Sequence, residues 1–184
     1  MKLILASNSP RRKELLKEAG LSFSVIPSNF KEEKNCGLTP SLYCKQLAEN
    51  KAKSVYSGDN SIVLGADTIV VFNGEILGKP KDEDDAIRML TKLSNNKHLV
   101  ITGYAIIKDG IVYSGYEETI VEFNDLSYTL ICEYVKSGLP LDKAGAYGIQ
   151  DGYELVKNID GDYNNVVGLP VNKILEILNE ITKI

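Results

Sequence analysis

The sequence predicts a single α/β domain built around a mixed sheet, and three observations carry that reading. Strand-like and helix-like segments alternate along the chain. Two hairpin signals, Asn73-Gly74 and Asp109-Gly110, follow β-branched apolar runs, so part of the sheet is antiparallel. The length of 184 residues is close to one average domain of roughly 150, which leaves room for two lobes but not for two full domains.

The elements follow in order. Lys2 to Ala6 is a short apolar strand. Ser9-Pro10 opens a helix, because Ser caps the first turn and Pro fits it. Leu15, Leu16 and Ala19 supply its inner face and Gly20 ends it. Leu21 to Pro27 predicts a second strand, and the polar stretch Asn29 to Leu38 a loop. Thr39-Pro40 repeats the opening signal for a helix reaching about Tyr56, with Leu47, Ala48, Ala52 and Val55 at helical spacing. Ser61 to Phe72 is a β-branched central strand. Asp82 caps a helix carrying Ala86, Met89, Leu90 and Leu93, and the acidic run Asp82 to Asp85 suits its dipole. His98 to Lys108 and Ile111 to Phe123 form the arms of the second hairpin. Ser127 to Ser137 predicts a helix stopped by Gly138, Leu139 to Asp151 a Gly-rich loop, and Tyr153 to Val156 a short strand. Pro170 opens the last helix, with Ile174, Leu175 and Leu178 on its inner face. No repeat, low-complexity tract or linker interrupts this order.

Composition excludes several classes. Lys and Arg total 21 against 25 Asp and Glu, a net charge of −4, so the basic surplus of a nucleic-acid-polymer binder is missing. A local cation cluster can still serve a small anion. One histidine, His98, rules out an HExxH zinc site and a His-rich metal cluster. Cys36, Cys44 and Cys132 are odd in number and form no CxxC pair, so neither a disulfide framework nor a zinc knuckle is expected. No secretory leader and no apolar run of membrane-spanning length occurs, so a cytoplasmic protein without membrane contact is expected.

Five segments carry chemical potential. In Ser7-Asn8-Ser9-Pro10-Arg11-Arg12, a strand ends in two hydroxyls and a helix starts with two arginines. A helix N-terminus attracts phosphate, and cations in its first turn oppose the dipole unless an anion joins them. The competing reading is a capped helix with solvated arginines. Asp67, in Gly65-Ala66-Asp67-Thr68, lies inside an apolar strand and needs either partners or a role. General base, Mg²⁺ ligand and a plain loop contact all remain open. Gly78-Lys79-Pro80 holds a lysine on a rigid turn, and Lys51 projects from the edge of an apolar helix face. Neither lysine is informative alone. Asp142 to Gln150 combines small residues with two glycines that permit close ligand approach. Its Gln150 has an amide able to read a base edge, against the alternative of an ordinary surface loop. Gly161 to Pro170 reads as a structural connection. His98 is read as structural. The GxxxxGK[ST] and GxGxxG phosphate motifs are absent.

Taken in register, these segments resemble the Maf family of nucleoside triphosphate pyrophosphatases. The matching stretches are Leu3 to Arg12, Gly65 to Thr68, Leu77 to Pro80, Asp142 to Gln150 and Gly161 to Pro170. The resemblance implies an ITPase-like α/β fold: one domain over 1–184, with two lobes around a long mixed sheet and a central cleft. It implies hydrolysis of a nucleoside triphosphate to monophosphate and pyrophosphate, with a divalent metal (Mg²⁺, Mn²⁺ or Co²⁺), in nucleotide-pool housecleaning by a homodimer. Asp142 to Gln150 resembles the dTTP/UTP branch. By the same resemblance, Asp67 is the proton acceptor, and Arg11, Thr68 and Gln150 set base preference. Ser7, Ser9, Arg12, Lys51 and Lys79 hold phosphates; Glu32, or its neighbour Glu33, joins Asp67 at the metal. Asp151 and Asn95 depart from the family, which often has Gly at both positions. The rivals are the same reaction on 7-methyl-GTP or CTP, a nucleotide-binding regulator of septum formation with little turnover, and a protein-interaction domain.

Overall fold

Thirteen regular elements are present in a computed structural model that describes residues 2–32, 35, 37–58 and 60–182. In chain order they are β1 (Lys2–Leu5), α1 (Pro10–Glu18), β2 (Phe23–Val25), α2 (Pro40–Lys53), β3 (Ser61–Phe72), β4 (Glu75–Leu77) and α3 (Glu83–Leu93). Then come β5 (Lys97–Lys108), β6 (Ile111–Phe123), α4 (Tyr128–Lys136), β7 (Val156–Asp160), α5 (Tyr163–Val167) and α6 (Val171–Thr182). The strands form a mixed seven-stranded sheet in the order β2-β1-β3-β5-β6-β7, with β4 hydrogen-bonded to β3. β1 runs parallel to β2 and β3, whereas β4 on β3 and β7 on β6 are antiparallel. This is the mixed sheet that the sequence predicts.

The helix starts are set by side-chain caps. Ser9, Thr39, Asp82 and Ser127 each accept a backbone N–H from the first turn of the helix that follows. Asn73 and Gly74 take φ of 50° and 79°, and Asp109 and Gly110 take 51° and 77°, the left-handed pair that a two-residue hairpin requires.

Two compact units make up the chain. The first contains Met1–Thr68, Thr102–Glu117 and Gly168–Ile184; the second contains Ile69–Ile101 and Glu118–Val167. In the first, Ile4 and Val63 pack with Ala48 and Ala52 of α2 and with Ala105 and Ile107. In the second, α3 and α4 bury Met89, Leu90, Leu93, Ile131 and Tyr134 against Val121 and Phe123.

Three expectations need correction. The strand expected at Tyr153 to Val156 starts only at Val156 and runs to Asp160. Tyr153 stacks instead on Tyr134, with ring centroids 4.6 Å apart. The strand itself is held by the β6 ladder and has the polar residues Lys157, Asn158 and Asp160, which no apolar pattern marks. The connection Gly161 to Pro170 contains α5, started by Asp162, whose carboxylate accepts the Asn164 N–H at 2.8 Å. Asn165 within it is buried and donates to the Val100 carbonyl and the Thr119 hydroxyl, so a polar residue of this connection belongs to the core. The loop Leu139 to Asp151 contains two 3₁₀ segments, Leu139–Asp142 and Ala144–Ala146.

Candidate active site

The first unit brings Lys51, Asp67 and Glu32 together. Asp67 sits on β3 and is 8% exposed. The Lys51 ammonium donates to Asp67 Oδ1 and, at 2.7 Å, to Glu32 Oε1. Two glycines make that reach possible. A Cβ on Gly65 would lie 2.4 Å from the Ala48 carbonyl oxygen, and one on Gly103 would lie 2.3 Å from that of Cys44. Helix α2 therefore rests with its backbone on the sheet, and Lys51, one turn past Ala48, meets Asp67. The loop carrying Glu32 is tied to the end of α2 by a 2.8 Å hydrogen bond between the Ser28 and Ser54 hydroxyls. Glu33 and Cys36 lie outside the described residues.

The electrostatics follow from burial. Desolvation raises the Asp67 pKa above the usual carboxylate range, against the opposing pull of Lys51 and Arg12. Burial alone would lower Lys51, but the charge of Asp67 and the bonds to both carboxylates outweigh it, so the ammonium is held protonated. Cys44, a residue that sequence reasoning left unassigned, lies directly behind Asp67. Its thiol donates to the Asp67 carbonyl at 3.3 Å and accepts the Gly103 N–H at 3.1 Å. Burial pushes that thiol up to about 12, so it stays neutral.

Arg12 is largely committed inside the protein. Its Nε donates to the Gly168 carbonyl at 2.8 Å, Nη1 to the Ala66 carbonyl at 2.9 Å and to Ser7 Oγ at 3.3 Å, and Nη2 to Thr68 Oγ1 at 3.0 Å. That uses four of the five guanidinium donors and leaves one N–H for a ligand. The Thr68 hydroxyl also meets that of Thr102 at 2.9 Å. Ser9 Oγ caps α1 and Ser7 Oγ accepts the Ser9 N–H, so both hydroxyls keep their O–H to donate. Arg11 is half-buried in the first turn of α1. Lys79 and Gln150 belong to the second unit, and both are exposed. The Gly78 carbonyl, next to Lys79, accepts the Gly145 N–H at 3.0 Å, so the Lys79 turn is joined to the segment that carries Gln150.

Two carboxylates converging on one ammonium suit a hard divalent cation. Among the described residues no third His, Cys, Asp or Glu joins them. A divalent cation fits such a site through the carboxylate oxygens that Lys51 does not engage, when phosphate oxygens and water complete its shell. No helix among the described residues is long and apolar enough to cross a membrane.

The chain is similar to known proteins along nearly its whole length. The dTTP/UTP pyrophosphatase of Thermococcus onnurineus is 49% identical over 177 residues, 95% of each chain. That of Bacillus pumilus is 47% identical over 178 residues, 96% of this chain and 94% of the other. In fold, the chain is similar to the Staphylococcus aureus Ham1 protein, with a TM-score of 0.52, 18% identity and coverage of 99% and 100%. The family model described as Maf-like protein matches residues 2–181, and the chain belongs to that family.

Proposed function

We propose that this chain hydrolyses the α–β phosphoanhydride of dTTP and UTP, releasing pyrophosphate and the monophosphate, in nucleotide-pool housecleaning. The relatives named dTTP/UTP pyrophosphatase support the substrate. The single observation that carries the chemistry is the Lys51 ammonium held between the buried Asp67 and the half-exposed Glu32.

The residues divide the work. Asp67 takes the proton that the attacking water sheds as the anhydride bond breaks. Its raised pKa makes it a stronger base than an exposed carboxylate. Lys51 keeps the Asp67 carboxylate oriented. Its bonds to Asp67 and Glu32 use two of its three N–H donors, and the third faces the charge that develops on phosphate. Ser7, Ser9 and the α1 N-terminus hold phosphate oxygens with Arg11, the last Arg12 donor and Lys79. Arg11, Thr68 and Gln150 set base preference; Thr68 does so through its position, since Arg12 and Thr102 already engage its hydroxyl. Asp67 and Glu32 would hold a divalent cation (Mg²⁺, Mn²⁺ or Co²⁺). When bound, that cation neutralises phosphate charge and favours ionisation of water. The same reading makes 1–184 one domain, cytoplasmic and homodimeric, with nucleoside triphosphate as its partner rather than nucleic-acid polymer or membrane.

Pyrophosphate release from a panel of triphosphates, wild type beside Asp67→Ala, tests the reading. The expected result is strong release from dTTP and UTP, about 10²- to 10⁴-fold lower in the variant, with nucleotide still bound. Full turnover by Asp67→Ala removes the base from Asp67.

A further inference from the structure

We propose that Asp151, acting through Tyr134 and Lys143, is the positioning residue that fixes Gln150 for reading the pyrimidine ring. This rests on the reading of Gln150 as a base-preference residue.

Gln150 is the third residue of a turn closed by the Asp151 N–H on the Gly148 carbonyl at 3.2 Å. Both ends of that turn attach to one fully buried side chain. The Tyr134 hydroxyl accepts the Gly148 N–H at 2.9 Å and donates to Asp151 Oδ2 at 2.5 Å. Lys143, 7% exposed, completes the frame. Its ammonium donates to the Leu139 carbonyl and, at 3.1 Å, to Asp142 Oδ1, and it forms an ion pair with Asp151 Oδ2 at 3.2 Å.

The network therefore ties the start of the segment, Leu139, to its end, Asp151. Gln150 is exposed in a turn pinned at Gly148 and Asp151. Gly148 is required for this geometry, because a Cβ there would lie 2.7 Å from both Asp151 Oδ2 and Lys143 Cε. Asp151 shares with Asp142 the counter-charge of the buried ammonium, and an amide at 151 would supply none of it. A glycine at 151 would offer no such tie.

A primary amide can donate to the O4 acceptor of thymine or uracil, whereas cytosine presents an N4 donor at that edge. Misplacing Gln150 should therefore cost base preference before it costs chemistry. The test measures kcat and KM for UTP, dTTP and CTP in wild type, Asp151→Asn, Tyr134→Phe and Gln150→Glu, with folding checked by circular dichroism. We expect Asp151→Asn to raise KM for UTP and dTTP about tenfold, with kcat within about twofold. The UTP-over-CTP ratio of kcat/KM should fall about tenfold. Tyr134→Phe keeps the Lys143–Asp151 pair and should show the same split at about threefold; it decides the matter if Asp151→Asn does not fold. A purely structural role would lower kcat through loss of active protein and leave KM and base preference unmoved. That result, or an unchanged UTP-over-CTP ratio beside a shifted one in Gln150→Glu, overturns the positioning role alone. An unchanged ratio in Gln150→Glu itself overturns the base-reading role on which the positioning role rests.

Discussion

Lys51 and Lys143 stand in nearly the same arrangement. Each is a largely buried lysine between one buried and one exposed carboxylate. Lys51 pairs with Asp67 and Glu32, whose side chains are 11% and 53% exposed; Lys143 pairs with Asp151 and Asp142, at 12% and 65%. The difference lies in a third partner. Lys143 also donates to the Leu139 carbonyl, and the Asp151 oxygen facing Lys143 is occupied by Tyr134 as well. Lys51 has no third protein acceptor among the described residues. A buried ammonium with three polar partners in the protein is a structural tie, whereas one with two, beside a carboxylate of raised pKa, is equipped for chemistry. Charge and burial alone do not separate the two; the count of polar partners does.

The largest effects should come from exchanging the two lysines for methionine. Lys51→Met should abolish most turnover, by about two to four orders of magnitude if positioning of the base is lost with it. Lys143→Met leaves Asp151 buried without its cation and should destabilise the protein by about 3–5 kcal/mol, while the folded fraction keeps its kcat. Chemical denaturation beside single-turnover rates reads both quantities. If both variants lose activity and stability in the same proportion, the distinction between the two clusters fails.

A next effect belongs to the second unit alone. Tyr147, in the segment that Lys143 ties down, bonds His98 Nε2 through its hydroxyl at 2.8 Å. His98 packs edge-on against Phe123 and Tyr147, and its Nδ1 has no partner among the described residues. Burial lowers the His98 pKa to about 4 from its ordinary 6.5. Between those values the unfolded chain binds a proton that the native protein refuses, so stability rises with pH across that window and is lost as pH falls. The difference amounts to about 3 kcal/mol. Urea unfolding at pH 4 and at pH 7 should show this slope in wild type and lack it in His98→Asn. A slope shared by both proteins would assign it to the carboxylates instead.

Much of this was legible in the residues. Capping Ser, Thr and Asp, the two hairpin pairs and the β-branched run of β3 marked most elements with close boundaries. Asn95 takes φ of 55°, a region that Asn enters more readily than other non-glycine residues. Asp67, Lys51 and Glu32 were named from the resemblance, and the structure brings those three together. What stayed hidden depends on side chains meeting across long sequence distances. That Arg12 spends most of its donors on Ala66, Thr68 and Gly168 shows only when its bonds are counted. Asp151 looks like an incidental departure until Tyr134 and Lys143 close on it. Strand β7 carries polar residues because only one ladder, to β6, defines it.

The smallest expected effect tests how each lysine reaches its carboxylate. Each cluster depends on a glycine. Gly65 lets α2 sit against β3, and Gly148 leaves room for the Lys143 stem beside Asp151. The obstacles differ in kind. Alanine at 65 would push on the Ala48 carbonyl and the Ala52 nitrogen, which are backbone atoms of a helix and move only with it. Alanine at 148 would push on the ends of two side chains, which can rotate, although both are held by hydrogen bonds. Gly65→Ala should therefore destabilise the protein by about 1–3 kcal/mol and lower kcat by drawing Lys51 away from Asp67. Gly148→Ala should cost less stability and leave kcat unchanged. Denaturation midpoints and kcat for the pair decide between these outcomes. Equal kcat in Gly65→Ala and wild type would mean that the close approach of α2 serves packing and not the placement of Lys51.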